Sequence, residues 1–96
     1  MPVEPRPRKL GRISDQVKQY LANASDEMAE QVAWVLDCLN SGDTECWDLL
    51  PMSESYARPG RMVILLSNGD TMVWQPYLDY PHLYAVFYVG PASPFV

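Results

Sequence analysis

Asn68-Gly69 stands between two runs of strand-forming residues, and no other pair constrains this chain more. A type I′ turn needs φ > 0 at both central positions, which Asn and Gly tolerate best, so Asn-Gly between apolar runs is a strong hairpin signal. Before it lies Arg61-Met62-Val63-Ile64-Leu65-Leu66-Ser67, a continuous apolar run that predicts a strand covered on both faces. After it, Asp70-Thr71-Met72-Val73-Trp74-Gln75 returns. A two-residue loop would set Leu65 opposite Met72 and Val63 opposite Trp74 on one face, with Ile64 opposite Val73 on the other. A wider connection from Pro76 to Pro81 leads to a third strand, His82 to Val89. Alternation puts Leu83, Ala85, Phe87 and Val89 on one face and Tyr84, Val86 and Tyr88 on the other. The expectation is an antiparallel β-meander.

Upstream the period is helical. Met28, Val32, Val35, Leu36 and Leu39 recur at the spacing of one helix face, widened by Trp34 and Cys38. Ser25 is the expected N-cap, and Gly42 the residue that ends the helix in a left-handed conformation. A shorter helix is expected before it, capped by Ser14, with Ile13, Val17, Tyr20 and Leu21 on one face. The short loop at Ala22-Asn23-Ala24 predicts that the two helices pack as antiparallel neighbours. Asp43 to Leu50 reads as one or two more helical turns, stopped before Pro51, and Met52 to Gly60 as a loop. Pro2, Pro5 and Pro7 leave residues 1–12 as a basic, extended arm. The predicted organisation is an arm over 1–12, one domain over 13–90 and a tail over 91–96. The fold class is α+β, a helical hairpin packed on a three- to four-stranded antiparallel sheet.

Ninety-six residues suit one compact domain. The net charge of -5 hides an asymmetry. Arg6, Arg8, Lys9 and Arg12 against Glu4 give the arm +3, while three basic and eleven acidic side chains give residues 13–96 a charge of -8. Such a body repels nucleic acid at long range. The basic start is not followed by an apolar signal-type segment. The longest apolar run, Met62 to Leu66, is far short of the ~20 residues that span a bilayer. A cytoplasmic chain without membrane contact is the expectation, with Cys38 and Cys46 as reduced, packing thiols rather than metal ligands. No cofactor is expected.

The sequence holds no phosphate-binding loop, no GxGxxG, no HExxH and no GxSxG. His82, the single histidine, is either a general acid or base or an idle strand-end residue. Arg58 and Arg61 flank the turn into the first meander strand and suit a phosphate or carboxylate, or else pair with local acids such as Glu54. Tyr77 and Tyr80, between Pro76 and Pro81, suit a protein interface, or else a loop folded on its own rings.

The order of these elements resembles the RelE/ParE toxin superfamily. Ile13-Ser14-Asp15-Gln16-Val17-Lys18-Gln19-Tyr20-Leu21 and Glu27-Met28-Ala29-Glu30-Gln31-Val32 look like its paired helices. Leu36-Asp37-Cys38-Leu39-Asn40-Ser41-Gly42-Asp43 looks like the close of the second. Arg61 to Leu66, Thr71 to Trp74 and Leu83 to Val89 follow its strand order. The resemblance implies either messenger-RNA cleavage, using basic residues and a tyrosine near the last strand, or inhibition of gyrase by protein binding. In both cases an antitoxin neutralises the protein. Three departures stand against the nuclease branch. The family's usual first edge strand has only Met1 to Glu4 to draw on, the body is acidic, and the last strand carries no Arg, Lys or His. Arg61, His82 and Tyr88 are the catalytic candidates, and Arg58, Arg61, Tyr77 and Tyr80 the binding candidates. The reading is a toxin-like protein of a bacterial toxin–antitoxin system that acts by protein binding, compatible with a homodimer. The alternative is a small acidic immunity protein or phage-type inhibitor of a basic protein target.

Overall fold

A computed structural model describes residues 8–42, 44–55 and 58–92. The elements are β1 (Lys9–Ile13), α1 (Asp15–Asn23), α2 (Asp26–Ser41), α3 (Thr44–Leu49), β2 (Met52–Glu54), β3 (Met62–Leu65), β4 (Thr71–Pro76) and β5 (Leu83–Gly90). One five-stranded sheet runs in the order β1-β5-β4-β3-β2. It is mixed, because β1 lies parallel to β5 while every other pair is antiparallel.

The α+β class, the helices and the meander agree with the sequence expectation. Two strands do not. Arg8 to Arg12, expected in the arm, belong to the folded body: Arg8 is buried and β1 starts at Lys9. The prolines that argued against order end at Pro7, so every residue of β1 keeps its backbone donor. Met52 to Glu54, expected in a loop, pairs with Ile64 to Met62 as the other edge. Any strand at Met1 to Glu4, the Asp43 cap and most of the tail (93–96) lie outside the described residues.

The helix ends follow from their caps. Ser14 Oγ accepts from Val17 N and Ser25 Oγ accepts from Met28 N, each at 3.3 Å. Gly42, at φ 66°, donates its N–H to the Cys38 carbonyl. Both helices lie on one face of the sheet, α1 chiefly against β5 and α2 against β1, rather than chiefly on each other as the short connection suggested. Cys38 and Cys46 form a disulfide with Cα atoms 5.5 Å apart, which corrects the expectation of free thiols. It ties the end of α2 to α3.

The hairpin is present in a different register. Met62 opposes Trp74, Val63 opposes Val73, Ile64 opposes Met72 and Leu65 opposes Thr71. The turn has three loop residues, Ser67, Asn68 and Gly69, closed by the Leu66 N–H on the Asp70 carbonyl at 2.8 Å. Gly69 alone takes positive φ (88°), while Asn68 Oδ1 instead accepts from Asp70 N at 2.9 Å. One extra loop residue shifts every pair by one and exchanges the faces. Met62, Ile64, Met72 and Trp74 therefore enter the core, whereas Leu65 is 54% exposed. A bulge at Phe87, between the pairs Trp74–Val86 and Val73–Tyr88, breaks the alternation of β5 in the same way. Tyr84, Val86 and Val89 are core, so the expected grouping of Val89 with Phe87 fails.

The helix-side core joins these residues to Val17, Met28, Val32, Val35, Leu39, Trp47 and Leu50. Trp74, fully buried, meets Trp47 and Tyr84 edge-on with centroids 5.8 Å apart. The Arg8 guanidinium lies 5.8 Å from the Trp74 ring centre and donates to the Pro81 carbonyl. Where β1 ends, side chains continue its edge. Ser14 N donates to the Val86 carbonyl, Ser14 Oγ to the Phe87 carbonyl, and the Gln16 amide both accepts from Val89 N and donates to Val89 O. Gln16 thus imitates the peptide unit of a missing strand residue.

Candidate binding face on the open side of the sheet

The face away from the helices carries Arg61, Val63, Val73, Gln75, Ala85, Phe87 and Tyr88. Val73 and Ala85 are buried yet stand outside the helix-side core. A groove of about 490 Å³ runs over this face, lined by Arg12, Gln75, Tyr77, Tyr80 and Phe87 among others. The Arg61 guanidinium stacks 4.5 Å from the Phe87 ring centre, and its Nε donates to Gln75 Oε1 at 3.3 Å. Stacking holds the planar cation flat and leaves its terminal N–H groups for an anion.

The loop that walls the groove is fixed at both ends. Tyr77 N donates to the Leu83 carbonyl and Leu83 N to the Tyr80 carbonyl, at 2.9 and 2.8 Å. Tyr77 folds back across the sheet to reach β1, where a Cβ on Gly11 would stand 2.8 Å from its hydroxyl oxygen. Gly11 is the irregular position of the β1–β5 ladder, and the missing side chain makes room for the ring. Tyr80 extends outward, 59% exposed, edge-on to His82 at 6.2 Å.

Of the residues singled out from sequence, Arg61, Tyr77 and Tyr80 gather around this groove. Arg58 does not line it; it sits in the exposed turn before β3, where its carbonyl accepts from Arg61 N. Neither arginine pairs with Glu54, whose Oε1 accepts from Gly60 N at 2.9 Å instead. The catalytic candidates do not converge. His82 precedes β5 and Tyr88 lies near its far end, six residues on, a separation of roughly 20 Å at strand rise. The Tyr88 hydroxyl donates to the Pro91 carbonyl. Sequence reasoning missed Arg12, Gln75 and Phe87. The sequence places Arg12 in the arm, and alternation puts Phe87 on the face of Ala85 without marking it as a partner for Arg61. Glycine beside Arg12 was the one local signal that something approaches β1 closely.

A second concavity, of about 530 Å³, lies between α1, the start of α2 and the hairpin tip. Its polar groups already serve the fold. Gln16 holds Val89, Asn23 Nδ2 donates to the Gln19 carbonyl, and the Tyr20 hydroxyl donates to Asp70 Oδ2 at 2.8 Å. Burial, and then this bond, raise the Tyr20 phenol above its ordinary value. Among the described residues no group of three His, Cys, Asp or Glu side chains is placed to hold a metal ion, and no helix is long and apolar enough to cross a membrane.

No family model, curated protein or solved structure matches this chain.

Proposed function

We propose that this chain is a toxin-like protein of the RelE/ParE type that acts by binding a protein target through the open face of its sheet. The observation that carries the reading is Arg61 held on Phe87 and Gln75 at the border of the groove that Arg12, Gln75, Tyr77 and Phe87 line. An arginine fixed on an aromatic ring is the composition of a protein-binding hot spot and suits a partner carboxylate. The order of elements supports the scaffold. A first edge strand, for which the sequence offers only residues 1–4, is supplied by Lys9–Ile13, ahead of the helices and the meander. Protein binding is preferred to RNA cleavage because His82 and Tyr88 stand far apart and the body is acidic.

The test is expression in a bacterial host, with R61A and the R12A/R61A pair alongside. The wild type should arrest growth, the arginine variants should not, and the purified chain should leave messenger RNA intact. Harmless expression of well-folded wild type would sink the reading. The second reading, an acidic inhibitor of a basic protein, draws on the helical layer. Protection against a co-expressed basic toxin would favour it.

A further inference from the structure

The Cys38–Cys46 bond joins the last turn of α2 to α3, and its two sulfurs stand in unequal surroundings. Cys38 is 1% exposed and belongs to the helix-side core. Cys46 is only partly buried and packs against that core. A disulfide opens when a thiolate attacks one of its sulfurs, and access helps decide which. Of the two, Cys46 is the residue that solvent reaches. Charge selects among the thiols that could attack. Residues 26–49 hold seven acidic side chains and no Lys or Arg. Glu45 adjoins Cys46, Asp48 follows two residues on, and both are exposed. A cationic thiol is drawn toward such a surface and an anionic one is held off.

The bond closes a segment at the edge of the fold. α3 has six residues, too few for a helix to persist alone in water. After two more residues comes β2, three residues long and paired with β3 alone. Trp47 and Leu50 are buried, and Trp47 Nε1 donates to the Cys38 carbonyl at 3.2 Å. That carbonyl also accepts from Gly42 N and Ser41 Oγ. Cys38 is thus the anchor both for the covalent tie and for the hydrogen bonds that close α2 beside α3. β4 and β5 differ, since each has a strand on both sides. A short edge segment of this kind opens before the middle of the sheet does.

We propose that Cys46 is a site of thiol–disulfide exchange for small cationic thiols, and that the Cys38–Cys46 bond is a redox latch on residues 44–54. The thiolate of an aminothiol attacks the Cys46 sulfur, and a mixed disulfide forms there. The Cys38–Cys46 bond breaks, its electron pair leaves with the Cys38 sulfur, and that thiolate takes a proton from water. A second aminothiol attacks the outer sulfur of the adduct and departs with it as the symmetrical disulfide, leaving Cys46 as a thiol. Two aminothiols are thereby oxidised to one disulfide, and the protein bond is reduced to two thiols. α3 and β2 then open as a unit while β1, β4 and β5 stay paired. The reverse exchange closes the latch.

The folded chain can be incubated with cysteamine, quenched in acid, unfolded, alkylated and mapped by peptide mass spectrometry. The adduct should lie on Cys46, with Cys38 recovered as a thiol. Glutathione, an anionic thiol, should react more slowly once each rate is divided by that on a small neutral disulfide. Complete reduction should speed amide exchange over residues 44–54 about fifty- to a hundredfold, the factor expected for releasing a loop this short. In the reduced chain these amides should exchange well ahead of those in β4 and β5. In Cys46→Ser the Cys38 thiol should resist cystamine until urea is added; if circular dichroism shows that variant unfolded, the wild-type map decides alone. Four outcomes overturn the proposal: an adduct on Cys38 as readily as on Cys46, glutathione as fast as cysteamine, unchanged exchange over 44–54 after verified reduction, or exchange there in step with β4. Arg61 lies across the sheet from α3, so R61A should react and exchange as wild type does. Failure of the latch therefore leaves the open-face reading standing, and failure of that reading leaves the latch.

Discussion

Replacing Tyr84 with Phe should exchange the stability order of the two proteins within the alkaline range. Tyr84 is 0% exposed, and its hydroxyl donates to Asn40 Oδ1 at 2.8 Å. Burial, and then the Asp37 carboxylate, push its phenol up to about 12 from an ordinary value of 10.0. The neutral ring is the form the fold favours. Below pH 10 folded and unfolded chains both hold the proton, and its contribution is fully present. Between pH 10 and 12 the unfolded chain has released the proton while the folded chain keeps it. Stability then falls by about 1.4 kcal/mol per pH unit, or about 2 kcal/mol by pH 12. Tyr84→Phe removes both this titration and the hydrogen bond. Asn40 is exposed, so water replaces the hydroxyl there, and the variant should be about 1 kcal/mol less stable at pH 7. The deficit should vanish near about pH 11 and reverse by pH 12. Tyr20 titrates in both proteins and drops out of the difference. Urea unfolding at pH 7, 9, 10, 11 and 11.5, followed by far-UV circular dichroism, measures it. A difference that stays level with pH refutes the account of Tyr84 as a phenol held neutral by the core.

Gln16→Ala removes both bonds to Val89 and should cost about 1–2 kcal/mol. Hydrogen exchange should show the Val89 amide losing protection while Val73 and Trp74 keep theirs; equal loss along β4 would argue against a local edge role. Gly11→Ala should move the Tyr77 ring off β1, because the new methyl group would stand 2.8 Å from its hydroxyl oxygen. Adding G11A to Tyr77→Ala should then cost less than adding it to the wild type, and additive urea midpoints would contradict that contact. Reducing the Cys38–Cys46 bond should destabilise the chain by about 2–3 kcal/mol on the chain-entropy estimate for a loop of this length. An unchanged urea midpoint in dithiothreitol, with both thiols alkylated afterwards, would show that the bond adds nothing to stability.

What the sequence made legible were features whose causes are local. Ser14, Ser25 and Gly42 cap helices by bonds within one turn, and all three act where the pattern placed them. The hairpin was legible and its register was not, since two-residue and three-residue loops both accommodate Asn-Gly. The choice rests on which face of β3 meets α2, a tertiary matter: Ile64 is buried and Leu65 is not. The bulge at Phe87 and the short strand β2 likewise depend on partners distant in sequence. The parallel pairing of β1 with β5 joins Lys9 to Leu83, across most of the chain. For the site, Arg61, Tyr77 and Tyr80 were legible as unusual residues. Their company, Arg12, Gln75 and Phe87, came from three other segments that only the sheet order brings together.

That order also explains how a chain of net negative charge keeps Arg12 and Arg61 apart from the acids of its helices. Helices α2 and α3 carry acids without a single Lys or Arg, while Arg12 and Arg61 reach the other face from β1 and the turn before β3. The sheet separates them by its own thickness and by a core of Trp74, Tyr84 and Ile64, a low-dielectric layer in which neither set neutralises the other. A partner of the proposed kind would therefore be sorted by charge before any contact forms. A carboxylate-bearing surface is drawn toward the arginines and repelled by the helices, and a basic segment experiences the reverse. Binding at either face should weaken as salt rises, because the charges involved are exposed.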